Sequence, residues 1–348
     1  MLLDALRDNF SRMKRSLAEN ILLAVECMIR CASCNSSKVV RELCLLNGKS
    51  FKTNDMLLYR LLDHQHFQID DRFWRCYITS VFQILIEQGE ITKDKKVLIN
   101  VDFTSDRDNF LILCASVLLG VQEIPLYFSM RTYPKRKNQY NHTKMETAFI
   151  KALRHILSDK YHYVLVADRG FGNDRFIQLC LTHGFEILIR IEPNMSIKTG
   201  EKQGIVEETL TDDGVYECYV RAWKTDHRIL RHSHDGKVWY LLTNINDITD
   251  VKASEGYAKR FRIAKVFQNL KSSGFDIEKS KIKKYDRFKR MLFLSCFAYS
   301  ILVLLGKFVQ EKLPGIKKNS PICLNLFIAS SSLACLPFLA THNKPIQS

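Results

Sequence analysis

Lys96–Phe103 reads KVLINVDF, a short apolar run rich in β-branched residues that stops at a carboxylate, Asp102. Such a run predicts a strand buried inside a sheet. Working outward, Tyr161–Asp168 (YHYVLVAD) repeats the pattern and also stops at an aspartate, Asp168. Between them, NFLILCASVLLGV (109–121) and EIPLYFSMRTY (123–133) are two further candidate strands, separated at Gly120–Glu123. Asn141 is placed to cap a helix over His142–Leu157. Beyond Asp168, Asn173–His183 reads as a helix closed by Gly184, and Phe185–Ile191 (FEILIRI) as another strand. Strands followed by helices in this order predict an α/β fold, a sheet flanked by helices.

On the N-terminal side, apolar residues recur at helical spacing through Ile21–Ile29, Val39–Leu46 and Met56–Leu62. Asn35-Ser36-Ser37 and Thr53-Asn54-Asp55 are the expected N-cap regions, and Gly48 ends the helix before the second. The two helices around NGKSFKTND resemble a helix-turn-helix, a pattern found in proteins that dock on DNA and in many that do not. On the C-terminal side, residues 195–250 alternate polar and apolar residues around Asp212-Asp213-Gly214 and Asp235-Gly236, as a mostly antiparallel β insertion would. A long helix is expected over Ser254–Ser273, ended by Gly274, and a second over Lys283–Gly306. The expected domains are an N-terminal helical region (1–92), a core in two parts (93–192 and 253–310), the β insertion (193–252) and a C-terminal helical tail (311–348).

Lys and Arg number 52 against 37 Asp and Glu, a net charge of +15, which favours a polyanionic partner such as nucleic acid. The eleven cysteines are an odd number, and the N-terminus lacks a signal peptide's apolar core, so reduced thiols are expected. The apolar runs Met291–Gly306 and Pro321–Ala340 read as buried helices; the first is short for a membrane span and the second carries Asn325 and several serines.

Phosphodiester chemistry assisted by metal needs carboxylates from separate elements converging on one point, because Mg²⁺ takes hard oxygen ligands. Asp102 and Asp168 suit that need; singly, each would more simply end a strand or cap a turn. Downstream, Tyr257, Arg260, position 264 and Lys271 are spaced +3, +7 and +14. At roughly 100° per residue they share one face of a helix. A phenol, a guanidinium and an ammonium on one face are suitable phosphate contacts; a solvated basic face is the plainer reading.

Tyr-x-x-Arg-x-x-x-Glu-x-x-x-x-x-x-Lys is the signature of a large group of bacterial insertion-sequence transposases of the DDE type, and the chain resembles them. Here the signature reads Tyr257, Arg260, Ala264, Lys271, accompanied by VDFTSD around Asp102, VADRGFGN around Asp168 and LKSSGFDIE after the signature. The resemblance spans roughly residues 20–310 and implies an RNase H-like mixed sheet carrying the β insertion. It implies that Asp102 and Asp168 bind Mg²⁺ or Mn²⁺, two ions in an active form, and that Tyr257, Arg260 and Lys271 touch transposon-end phosphates. Cleavage frees a 3′-OH, which then attacks target DNA. The implied partners are double-stranded terminal-repeat and target DNA and a second copy of the chain, as a homodimer on DNA. No membrane and no small-molecule cofactor are implied, and the implied location is the bacterial cytoplasm, at the nucleoid. Trp239, in KVWYLLTN, resembles the tryptophan that stacks on a flipped base in relatives with this insertion; a core tryptophan on a strand is the equal alternative. The basic loop Arg131–His142, with Lys135, Arg136 and Lys137, lines a DNA channel or is simply a solvated loop.

The departure is Ala264, where the signature has Glu. Alanine cannot bind metal, so the expectation is an impaired enzyme with fold and DNA affinity kept. Glu255 points to the opposite side of the expected helix, and Asp276 and Glu278 lie beyond Gly274. A non-catalytic protein that occupies transposon ends is one alternative, and a nuclease without strand transfer a weaker one. Asp106 and Asp108 are expected in a loop. Cys27-x-x-x-Cys31-x-x-Cys34 has the spacing of an iron–sulfur site but falls on an amphipathic helix, where small core side chains are expected instead.

Overall fold

In a computed structural model of the chain, the residues described are 14–91, 96–106, 109–120, 122–133, 142–234, 236–246, 248–271 and 274–312. Four helices come first: α1 (Arg15–Cys31), α2 (Ser36–Asn47), α3 (Phe51–Asp63) and α4 (Asp71–Glu87). The Asn35 side chain accepts from Ser37 N and Lys38 N to start α2, and Gly48 ends it at φ +67°, a left-handed conformation that glycine takes without a Cβ penalty. The cap of α3 is Ser50, not the expected Thr53-Asn54-Asp55; Ser50 Oγ accepts from Thr53 N at 3.2 Å. Asn54 is instead fully buried and hydrogen-bonds Asn47 and the Lys49 carbonyl, so a side-chain amide fastens the turn between α2 and α3.

β1 (Val97–Asp106), β2 (Phe110–Leu119) and β3 (Gln122–Thr132) form an antiparallel meander. α5 (His142–Ile156) leads to β4 (Tyr163–Ala167), which pairs parallel with β1, and α6 (Asp174–Thr182) leads to β5 (Glu186–Arg190), parallel with β4. The expected α/β class therefore holds. The segment after β5 is antiparallel β as expected: β6 (Ser196–Thr199), β7 (Lys202–Ile205), the one-turn α7 (Val206–Thr209), β8 (Gly214–Val220), β9 (Thr225–His234) and β10 (Lys237–Thr243). It is not a detached layer. β10 pairs with β5, giving one ten-stranded sheet in the order β3-β2-β1-β4-β5-β10-β9-β8-β6-β7.

The long helix expected over 254–273 is two helices, α8 (Asp250–Ala258) and α9 (Phe261–Lys271). The chain tightens between them: Arg260 N bonds Tyr257 O, Arg262 N bonds Lys259 O and Ile263 N bonds Arg260 O, all three residues back. That narrower winding changes the angular offset between residues before and after the break. The break separates Tyr257, on α8, from Ala264 and Lys271, on α9, with Arg260 in the turn between them. α10 (Tyr285–Lys312) then runs through the middle of the molecule. Tyr285–Lys307 is, among the described residues, the one stretch long and apolar enough to cross a membrane, but its Phe288, Met291, Phe293, Leu294 and Phe297 are buried in the core. The expected tail beyond Lys312, including Pro321–Ala340, lies outside the described residues.

The N-terminal helices share this core. Tyr77 Oη of α4 donates to Pro125 O of β3 at 2.6 Å and lies 2.7 Å from Ser300 Oγ of α10. Trp74 meets Phe128 at 5.3 Å and Phe293 at 5.4 Å, edge to face. Cys27 and Cys34 are fully buried, with Cys34 Sγ 2.7 Å from Ser295 Oγ of α10, and burial pushes both thiols up. They pack as small core side chains.

Candidate active site

Parallel pairing places the two aspartates together. The β1–β4 register ends at Val101↔Ala167, so Asp102 and Asp168 are the next residues of adjoining strands. Asp168 leaves β4 as expected and caps the 3-10 turn Arg169–Phe171, accepting from Gly170 N at 3.0 Å. Asp102 does not end its strand. It is mid-strand in β1, which continues to Asp106 because β2 pairs alongside that whole length. Asp106 is accordingly the buried end of a strand rather than a loop residue, and Asp108 lies outside the described residues.

Asp102 Oδ1 accepts from Phe103 N at 2.8 Å, and Oδ2 from Arg260 Nη1 at 3.1 Å. Burial pushes the Asp102 carboxyl up; Arg260 opposes that rise and the neighbouring Asp168 charge adds to it. Arg260 thus sits on a carboxylate, where the sequence predicts a phosphate contact. It is 9 % exposed, with its guanidinium carbon 5.7 Å from the Tyr257 ring centre and 5.1 Å from that of Phe261.

Tyr257 is fully buried and meets Trp239 at 5.2 Å and Phe261 at 5.9 Å. Trp239, on β10, is half-buried in this aromatic group, and Phe261 at its outer side is 49 % exposed. Ala264 is exposed on α9, one turn past Arg260. Lys271 ends α9 elsewhere, in the field of Glu278 and Asp106; burial holds its ammonium pKa down and both carboxylates oppose that. Arg131 lies in β3, whereas Lys135, Arg136 and Lys137 fall outside the described residues. The structure therefore gathers Asp102, Asp168, Arg260, Tyr257 and Trp239 around one place and leaves Lys271 and Arg131 away from it. Among the described residues no three His, Cys, Asp or Glu side chains converge to hold an ion.

One component was not anticipated from sequence. Asn100 shares the Asp102 face of β1, two residues back, and Ser116 of β2 lies opposite it. Glu123 of β3, 1 % exposed, accepts a short hydrogen bond from Asn100 Nδ2. Burial pushes its carboxyl up to about 7, against the hydrogen bond from Asn100, the nearby Ser116 hydroxyl and the charges of Arg262 and Arg260. The signal available was a polar residue inside each apolar strand, Asn100 in LINVD and Glu123 in QEIPL.

Burial of Glu123 makes stability depend on pH. A carboxyl with pKa about 7 folded against 4.5 unfolded holds its proton more tightly when folded. Its contribution is most favourable below pH 4.5 and declines as pH rises to about 7, a loss on the order of 3 kcal/mol. Glu123→Gln is expected to remove that decline, so urea unfolding at pH 5 and pH 8 should differ less in the variant than in the parent chain. An unchanged difference would contradict the assignment.

No curated protein matches the chain. Residues 131–301 match the family model described as the transposase DDE domain, a span that includes Asp168, the β insertion and the Tyr257–Lys271 signature and begins after Asp102. The mixed sheet with its flanking helices is the RNase H-like arrangement of that family. Over these residues, about half of its length, the chain is similar to the DDE transposases.

Proposed function

We propose that the chain is a transposase that binds the ends of an insertion sequence at the Asp102–Asp168 pair, and that Ala264 leaves its cleavage and strand-transfer chemistry impaired. The observation that carries this reading is the placement of the two carboxylates on adjoining parallel strands, beside Arg260 and the Trp239–Tyr257–Phe261 group. DDE transposases are in general dependent on divalent metal. The paired carboxylates here are the hard oxygen donors that Mg²⁺ or Mn²⁺ selects. The pair fits one ion; a second ion lacks the carboxylate that Glu would bring at position 264. Bound there, an ion would supply charge stabilisation at the scissile phosphate.

The chain's own groups supply the rest. Arg260 is a forked donor that exchanges Asp102 for a phosphate oxygen once the carboxylate is engaged elsewhere. Phe261 and Trp239 offer faces on which an unpaired base stacks, with buried Tyr257 as their backing. Lys271, Arg131, Lys135, Arg136 and Lys137 are further cations for backbone phosphates. In the N-terminal helical region, the α2-turn-α3 unit is the part that contacts DNA, and its exposed α3 side chains include Phe51, Lys52 and Tyr59. A homodimer on DNA is part of the reading.

The test is a gel-shift titration with duplex carrying the element's terminal repeats against a scrambled duplex, at several salt concentrations. The reading requires tighter binding to the repeats and an affinity that falls steeply with salt. Equal affinity for both duplexes overturns it. Ala264 favours a second reading, a non-catalytic protein that occupies the ends and blocks an active enzyme. Binding to the repeats without nicking in Mg²⁺ or Mn²⁺, by the chain and by its Ala264→Glu variant alike, would select that reading.

A further inference from the structure

An ion at Asp102 would compete with Arg260 for Oδ2 and repel its charge, which favours release of the guanidinium. The released guanidinium remains a charge in a nearly closed site, and leaving it without a partner there is costly. A receiver is therefore needed within reach, and the side-chain arrangement supplies one. Arg260 Nε is buried and has no hydrogen-bond partner, although Nη1 is engaged by Asp102. Glu123 Oε2 is buried and also without a partner, although Oε1 is engaged by Asn100. An unused donor on a cation and an unused acceptor on a carboxyl thus lie in one region of the sheet face. Arg260 acts electrostatically on both acids, opposing the rise in pKa of Asp102 and of Glu123 alike. Glu123 pairs with Leu118 of β2, two residues from Ser116, and its Asn100 partner is two residues from Asp102 on the same face of β1.

We propose that Glu123 is a positioning residue that takes the Arg260 guanidinium when Asp102 turns to a divalent cation. The inference rests on the reading of Asp102 and Asp168 as ion ligands. Glu123 itself does not bind the ion. It lowers the cost of clearing Asp102, and it keeps Arg260 beside the site, available to phosphate. Arg262, whose Nη1 donates to Gly120 O at 3.4 Å, is the other cation that acts on Glu123. It already has this backbone anchor and is not paired with either aspartate in the described contacts.

The experiment is a double-mutant cycle read by Mn²⁺ binding rather than by turnover. Full-length chain, Glu123→Gln, Arg260→Ala and the double variant are titrated with Mn²⁺ at pH 8, following free Mn²⁺ by electron paramagnetic resonance. Gln keeps the size and hydrogen bonding of the protonated acid, so the variant retains the fold; thermal unfolding of all four chains checks this. Glu123→Gln should weaken Mn²⁺ binding about tenfold where Arg260 is present and leave it unchanged where Arg260 is alanine. Arg260→Ala alone should bind Mn²⁺ at least as tightly as the parent chain, since the competing cation is gone. An equal loss in both backgrounds, or no loss in either, overturns the proposal and leaves the ion site standing. No Mn²⁺ bound by the parent chain or by Arg260→Ala overturns the ion-site reading, and this proposal with it.

Discussion

Ala264→Glu is expected to raise metal-dependent nicking of terminal-repeat DNA by on the order of 100-fold or more, with little change in stability. Position 264 is exposed on α9, so a glutamate there meets solvent rather than packed neighbours, and Glu costs only a few tenths of a kcal/mol against Ala in a helix. The position lies one turn beyond Arg260, whose guanidinium touches Asp102. A carboxylate placed there would give the site its third acidic group, from a third element, and with it the anchor for a second ion. Ala264→Gln is the control: it has the same reach without the charge and should show no gain. Equal nicking by the parent chain and the Glu variant would mean that another group already supplies the third carboxylate.

The second large effect is on stability. Trp74→Ala should destabilise the chain by about 3–5 kcal/mol, the usual cost of truncating a buried aromatic side chain. Trp74 is 4 % exposed and contacts Tyr77, Tyr127, Phe128 and Phe293, so its removal empties a space shared by α4, β3 and α10. Because the N-terminal helices use that shared core, a single cooperative transition shifted to lower urea is expected. A loss confined to the N-terminal helices, with the sheet unaffected, would show that they fold as a separate unit. Circular dichroism and tryptophan fluorescence followed through the same titration distinguish the two.

Much of this architecture was legible in the sequence because strands such as VLINV and YVLVA are buried on both faces and read as unbroken apolar runs. The pairing of Asp102 with Asp168 was legible for a related reason: each follows an apolar run, and parallel register then brings the run ends together. Three features were hidden. The length of β1 beyond Asp102 depends on β2, which pairs along FTSD regardless of its polarity. The break at Lys259-Arg260 preserves helical composition on both sides, so periodicity cannot register it; the three-residue bonds there belong to tertiary packing around Arg260. The buried row of Asn100, Ser116 and Glu123 is scattered over three strands, and only the sheet brings its members together. Arg260 shows the limit of motif reading most plainly. Its position in the signature suggests a phosphate, and in the free chain its nearest anion is the Asp102 carboxylate.

If Asp102 and Asp168 together hold the divalent ion, Fe²⁺ takes the same place. The most direct measurement is to load the purified chain with Fe²⁺ in place of Mg²⁺ and start peroxide chemistry with ascorbate. Mass spectrometry then maps where the backbone is cut. Cuts are expected to cluster at residues flanking Asp102, Asp168 and the Arg260–Ala264 turn, and to be abolished by excess Mg²⁺ and by Asp168→Asn. Cuts that fall elsewhere, or that persist unchanged in Asp168→Asn, would contradict that placement.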